Sequence, residues 1–551
     1  MADAQRYSIG QYVIRRLQDY GIHDVFGIPG DYVLSFYSML EESPINTVGC
    51  TREDCAGYAA DAYARINGMG AVCVTYCVGG LSVANSIAGA YAEKSPVVVL
   101  TGSPGLSERV NDPLLHHKVR DFRTQYEVFQ KLCVAGTEIS DAATAFQEID
   151  RVLAMCARYK RPVYLDIPRD MVHVVPNEPH KFVLDEVKSD PDALAEAVAE
   201  TKQLLSLAER PLILAGVEVH RFQLQDQLLA LAQSTNIPIS ATLLGKSVIR
   251  ETHPLYVGLY GGGIGRDEVT RFVEESDCVL LLGTFMSDLN LGIFTAQLQA
   301  SKCIYVTSEE LRVHHHHYHH VVLSEFMQAL NEAKPTPTKR AIPEELRSLR
   351  DPFVLNPDDH VTTTRLIAFL NERLEDDMIV IADIGDSLFA ATELVIDHRA
   401  EFLSPAYYTS MGFSVPAALG VHVAAPDRRV IVIVGDGAFQ MTGQEMSNLV
   451  RHGFDPVIFV LDNGGYGTER YLHEGEWKYN DIHGWNYSRL VDVYGGGKGY
   501  EVRTEKELAA AVEQAWADTS GPSLIHVHLD RADCSPTLAR MAARLAERVK
   551  G

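Results

Sequence analysis

Short, continuously apolar runs alternate along the chain with longer stretches of helical periodicity. Residues 24–28, 71–75, 97–101 and 162–167 read as strands, as do 212–215, 279–283 and 303–306. Four more follow at 378–382, 429–434, 456–461 and 523–527, and a further one, 45–48, precedes an alanine-rich helical tract. Strands that are apolar throughout, rather than in alternation, are buried on both faces. With helices between them they form parallel sheets. The pattern predicts an α/β protein of open, mostly parallel sheets.

Two segments interrupt the rhythm. Residues 177–192 are polar and aperiodic, and 333–359 carry Pro335, Pro337, Pro343 and Pro352. Both read as linkers. They divide the chain into domains 1–180, 190–335 and 355–551, as expected for 551 residues, which is too long for one core. The first and third blocks share length and cadence.

Composition narrows the partners. A net charge of −24 argues against nucleic acid and anionic membrane surfaces, and leaves any anionic substrate to local groups. No apolar run is long enough to span a bilayer, and the first seven residues are polar, with no leader pattern. The nine cysteines are odd in number and scattered, with no Cys-x-x-Cys pair, which suits reduced thiols in a cytoplasm.

The strongest chemical signal is Gly435-Asp436-Gly437-Ala438, after one strand, with Asn463 27 positions beyond Asp436, after the next. A carboxylate, an amide oxygen and a backbone carbonyl at Gly465 are the hard oxygen ligands that Mg2+ takes, the rest of its octahedron being water and phosphate. The glycines let backbone N–H groups approach a diphosphate. A Gly-Asp-Gly turn and an unrelated Asn-Gly turn are the bland alternative; the joint spacing favours the metal site.

This arrangement resembles the signature of thiamine diphosphate enzymes. From about Tyr7 to about Asp530 the chain resembles the 2-oxo acid decarboxylases, the pyruvate and indolepyruvate decarboxylase group. The resemblance implies that the first and third domains are related folds, binding the pyrimidine and diphosphate ends of the cofactor. Between them lies a nucleotide-fold-like domain. It implies thiamine diphosphate and Mg2+ as cofactors, with Asp436, Asn463 and Gly465 as metal ligands. Gly437, Ala438, Tyr466 and Asp386 would contact the cofactor, and the Thr409 carbonyl would accept from its 4′-amino group. Met411 would be the apolar wedge that keeps it bent, where relatives more often carry isoleucine. Asp383 and Ile384 depart from the family's Glu-Thr at their positions.

Glu53 stands before Asp54-Cys55-Ala56-Gly57-Tyr58. A carboxyl at a helix head can simply complement the helix dipole. The resemblance makes it the group that hydrogen-bonds N1′ of the aminopyrimidine, where desolvation by Ala, Cys and Tyr would let it share a proton. Asp31, after a Gly-Pro-Gly turn, and the adjacent His116 and His117 correspond to the cluster that handles protons in the decarboxylase group. Glu469 corresponds to a second acidic catalyst. Leu289, Ile384, Leu388, Thr468 and Leu472 would face the substrate side chain, with openings at Leu388 and Thr468 that admit branched or aromatic 2-oxo acids, such as phenylpyruvate or indolepyruvate. Pyruvate also fits. The implied reaction is non-oxidative decarboxylation to an aldehyde and CO2 through an ylide and an enamine. A carboligase of acetohydroxyacid synthase type is the alternative, against which Asp31, His116 and His117 speak. A non-catalytic regulator is less compatible with intact Glu53, Asp436, Asn463 and Glu469. The family's shared sites imply a homodimer or homotetramer with active sites at the subunit interface.

Two features stand outside this reading. Gly261-Gly262-Gly263 is too weak to indicate a dinucleotide. The histidine-rich run 314–320 has no carboxylate or cysteine at ligand spacing, and reads as a solvated loop or an adventitious chelator.

Overall fold

A computed structural model describes residues 6–177, 180, 187–346, 352–397, 400–473 and 475–550, with side chains to residue 545. Three sheets carry the fold. The first contains β1 (Asp24–Gly27), β2 (Asn46–Gly49), β3 (Gly70–Val74), β4 (Val97–Ser103), β5 (Ala135–Glu138) and β6 (Val163–Pro168), in the order β2-β1-β3-β4-β6-β5. The second contains β7 (Pro211–Ala215), β8 (Ile239–Ala241), β9 (Tyr256–Leu259), β10 (Cys278–Leu282), β11 (Cys303–Val306), β12 (Leu311–Val313) and β13 (His316–Tyr318). Its order is β13-β12-β11-β10-β7-β8-β9. The third contains β14 (Ile379–Ala382), β15 (Glu401–Leu403), β16 (Val430–Gly435), β17 (Val457–Asp462), β18 (Lys498–Val502) and β19 (Ser523–His528), in the order β15-β14-β16-β17-β19-β18.

Counted from their own first strands, the first and third sheets have one strand order, and every pairing in both is parallel. The five parallel strands of the second sheet follow a doubly wound order that reverses between β7 and β10. Most strands legible in the sequence are buried along their length: β3, β4, β6, β7 and β10 show no exposed position, although the legible β2 is partly exposed. The sequence reading missed β5, β8, β9, β12, β13, β15 and β18. All but β8 and β12 lie at sheet edges, and those two are three residues long with a polar position, Ser240 and Arg312, so no continuous apolar run marks them.

The run 314–320 is a loop only at its ends, 314–315 and 319–320. It holds β13, an antiparallel edge strand in register with β12. Carboxylates also reach it from outside the run: His316 Nδ1 lies 3.1 Å from Glu200, on the Pro191–Leu207 helix, and His317 lies 3.5 Å from Glu310. Those partners are remote in sequence or across a strand turn, which spacing alone does not reveal.

The linker readings fall partly on 178–179, 181–186 and 347–351, which lie outside the described residues. The described part of the second is fastened down. The Arg340 guanidinium lies 3.7 Å over the Phe272 ring and donates to the Arg210 and Phe272 carbonyls. Compact units also cut across the linear blocks. One comprises 1–186, 415–427 and 442–454; the other comprises 187–414, 428–441 and 455–551. Among the described residues no helix is long and apolar enough to cross a membrane.

One buried charge in the first unit has a measurable consequence. Asp166, on β6, is 1% exposed, and burial pushes its carboxyl up to about 7. An unfolded carboxyl ionises near pH 4. The folded state therefore binds the extra proton between these values, and the stabilisation present at low pH is lost as pH rises through about 7. Asp166→Asn should flatten the stability profile between pH 5 and 8, a change on the order of a few kcal/mol. Urea denaturation at both ends of that window checks it; an unaltered slope would exonerate Asp166.

Candidate active site

The neighbouring strands β16 and β17 run in register, Gly435 beside Leu461. Their carboxyl ends therefore deliver Asp436 and Asn463 to one place. Asp436 opens the Asp436–Thr442 helix and is 2% exposed. Its two oxygens accept from Gly437 N–H at 2.7 Å and Gly465 N–H at 2.8 Å. Burial, reinforced by the Asp462 carboxylate, pushes its carboxyl up to about 7. The turn beyond β17 needs glycine: Gly464 and Gly465 have φ of +75° and +138°, and a Cβ on Gly465 would lie 1.9 Å from the Asn480 carbonyl oxygen. Arg470 donates to the Asn463 carbonyl at 3.1 Å and to that of Gly464 at 2.8 Å. Asn463 Oδ1 is buried and has no hydrogen-bond partner among the described residues.

A carboxylate driven toward protonation and an orphaned amide oxygen sit within one cradle. Both penalties disappear if a hard cation is bound. The residues present therefore fit Mg2+. Beside them Tyr466 lies against Gly437, where an added Cβ would meet the ring at 2.6 Å. Only a residue without a Cβ fits between the ring and the start of the helix.

The cavity above the cradle measures about 600 Å³. Asp436, Gly437, Ala438, Asn463, Gly465 and Tyr466 form its floor, and Thr409 and Met411 line it. Thr409 has φ of +59° and Gly412 of +87°. Asp383, fully buried, holds this loop by accepting from Gly412 N–H at 3.1 Å and Ser414 N–H at 2.9 Å. Asp386 also lines the cavity; it accepts from Ser535 N–H at 2.9 Å, and burial pushes it up to about 6. Glu469 is exposed on the Gly467–Leu472 helix and faces the same space. Leu289, Ile384, Thr468 and Leu472 complete the apolar side.

In the first unit, Glu53 begins the Glu53–Asn67 helix and is half-buried. A Cβ added to Gly79 would stand 3.6 Å from Glu53 Oε1, so the start of the Val78–Ala92 helix covers the carboxylate. Asp31 Oδ2 lies 2.7 Å from His116 Nε2. The His116 ring stacks on Tyr32 at 4.8 Å, and His117 stands edge-on to His116 at 4.8 Å. One ligand-type atom from each of Asp31, His116 and His117 lies within 4.8 Å of the others. His117 holds φ of +67°, and its buried Nδ1 has no hydrogen-bond partner among the described residues.

Comparison with known proteins bears on both units. Residues 7–127 match the N-terminal TPP binding domain of thiamine pyrophosphate enzymes, 198–332 their central domain, and 383–527 their C-terminal TPP binding domain. The chain is 35% identical over 546 residues to an indole-3-pyruvate decarboxylase of Azospirillum brasilense, covering 97% of each. It is 31% identical to a probable pyruvate decarboxylase of Schizosaccharomyces pombe, covering 97% of this chain and 95% of that one. It is also 31% identical to pyruvate decarboxylase 3 of Arabidopsis thaliana, covering 98% and 93%. The chain belongs to the thiamine pyrophosphate enzymes, in their pyruvate and indolepyruvate decarboxylase group. It is a thiamine diphosphate-dependent 2-oxo acid decarboxylase, with thiamine diphosphate and Mg2+ as cofactors.

The structure of this decarboxylase corrects one pocket residue. Leu388 does not line the cavity. It is fully buried in an apolar cluster with Val217, Leu243, Leu244 and Ala406. Ile384, before the Asp386–Ala391 helix, packs against the same cluster and still lines the cavity, whereas Leu388, inside that helix, is wholly enclosed by the cluster. Sequence reasoning also missed wall residues: Ile293, Phe389, and Met541 and Leu545 from the Pro536–Lys550 helix. That helix has a clear amphipathic pattern in the sequence, but nothing local says which surface its apolar stripe covers.

Proposed function

We propose that this chain converts 2-oxo acids to an aldehyde and CO2, and that it prefers branched-chain or aromatic side chains to the methyl group of pyruvate. The observation that carries the preference is the cavity wall. Leu289, Ile384, Leu472, Met541 and Leu545 give one side of the cavity an aliphatic surface, and Thr468 adds only a small side chain. An apolar side chain gains about 0.8 kcal/mol per buried CH2 in such a wall.

Thiamine diphosphate, when bound, supplies the carbon nucleophile and the electron sink. The chain supplies the rest. Asp436, Asn463 and the Gly465 carbonyl hold Mg2+, and Gly437, Ala438 and Tyr466 enclose the diphosphate end. The Thr409 carbonyl and the Met411 side chain orient the rings. Glu53 holds the proton that is shared with the aminopyrimidine. Asp31, His116, His117 and Glu469 move protons during product formation; the Asp31–His116 contact of 2.7 Å supports this reading for the first pair. Leu289, Ile384, Thr468 and Leu472 orient the substrate side chain. Domains 1–180, 190–335 and 355–551, a homodimer or homotetramer, and a cytoplasmic location belong to the same proposal. Nine free cysteines, seven of them buried, support the last.

A decarboxylation panel tests the substrate reading. With Mg2+ and cofactor saturating, kcat/KM for phenylpyruvate or indolepyruvate should exceed that for pyruvate by about 10-fold or more. The opposite rank would overturn it.

A further inference from the structure

Behind the cation cradle lies a cluster that the cofactor chemistry does not use. His526, on β19, is 3% exposed, yet both its ring nitrogens face carboxylates. Nε2 lies 2.7 Å from Asp462 Oδ2, and Nδ1 lies 3.3 Å from Glu501 Oε1. Glu501 is held in turn by the Ser488 hydroxyl and by His528 Nε2. Asp462, His526 and His528 present ligand-type atoms within 4.8 Å of one another, but the imidazole of His526 already has a carboxylate at each nitrogen. The cluster is a hydrogen-bonded network, and its far end is what matters.

Asp462 uses its other oxygen, Oδ1, to accept from Gly464 N–H at 3.1 Å. One carboxylate thus joins a buried imidazole to the turn that carries Asn463 and Gly465. The same imidazole packs edge-on against Tyr487, centroids 5.0 Å apart. The Tyr487 hydroxyl accepts from Gln440 Nε2 at 2.8 Å, and Gln440 lies on the helix that Asp436 opens. His526 therefore touches the supports of both halves of the cradle. We propose that His526 is a positioning residue for the Mg2+ site: it fixes the Asp462 rotamer that caps the Gly464–Gly465 turn, and so sets the placement of Asn463 Oδ1. The inference rests on the reading of Asp436, Asn463 and Gly465 as the cation ligands. Outer partners that orient a metal's ligands change its affinity by about 10–100-fold.

Manganese serves as the probe. Its affinity is measured by electron paramagnetic resonance titration of the full-length protein with saturating thiamine diphosphate, alongside the melting temperature of the metal-free protein. His526→Ala should weaken Mn2+ binding by about 10-fold or more. His526→Gln, which keeps a donor toward Asp462, should recover most of the loss. Glu501→Gln, which leaves the imidazole in place, should weaken binding in the same direction and to a smaller extent; it also carries the test if the alanine variant does not fold. Unchanged Mn2+ affinity in the folded variants overturns the inference, even where the metal-free melting temperature drops, since that pattern marks a purely structural residue. Failure of the parent protein to bind Mn2+ would instead remove the ligand assignment beneath it.

Discussion

Glu53→Gln is expected to fold like the parent and to lose about 10²–10⁴-fold in turnover at saturating cofactor. The amide keeps the size of the side chain and its place at the head of the Glu53–Asn67 helix, so the packing of that helix is undisturbed. The packing is tight: Gly57 approaches Ser86 so closely that a Cβ would lie 1.9 Å from its hydroxyl oxygen. What glutamine cannot do is hold and return a proton. The helix dipole alone would be only weakly affected by the change, by about 0.3–1 kcal/mol in stability, so a purely structural Glu53 predicts near-parental rates. Steady-state aldehyde production and thermal melting together separate these outcomes, and a rate within a few-fold of the parent removes Glu53 from the chemistry.

Asp436→Ala should act in two opposite directions. In the metal-free protein it removes a carboxylate that is 2% exposed and pushed up to about 7 by burial, so the variant should melt no lower than the parent. With Mg2+ and thiamine diphosphate added, the order reverses. A ligand pair at a hundredfold excess over its Kd stabilises the parent by about 2.7 kcal/mol, and the variant should gain almost nothing. Calorimetric titration should show the affinity for the cofactor with Mg2+ lowered by about 100-fold or more, beyond what loss of an outer partner causes. A variant that binds the pair as tightly as the parent would show that the cradle around Asn463 and Gly465 is not the cation site.

These two residues were legible early for different reasons. Asp436 and Asn463 follow two continuous apolar strands, and glycines flank both; that is a local pattern with a local cause. Glu53 was visible only through resemblance, since a lone acid at a helix start has an ordinary explanation. Asp31, His116 and His117 lie between the two cases. Adjacent histidines in a polar loop carry little weight, and the structure brings them to Asp31 across 85 residues. Asp383 passed only as a departure from a family pattern, although its carboxylate holds the loop bearing Thr409 and Met411. Hydrogen bonds to backbone N–H groups some 30 residues away leave no trace in spacing.

The alternation of the buried strands with helices, the parallel character of the sheets and the acid–amide pair at the ends of β16 and β17 are set by the sequence alone. Each depends on a repeat or spacing within a short stretch, such as the continuous burial of β16 and β17 and the glycines after them. Tertiary structure alone decided that 316–318 pairs as an edge strand, that Leu388 faces the core, that Met541 and Leu545 wall the cavity, and that His526 reaches Asp462. Those outcomes depend on which way a side chain points and what stands opposite it. Opposite partners come from distant parts of the chain, and only the packing of helices on sheets brings them within contact.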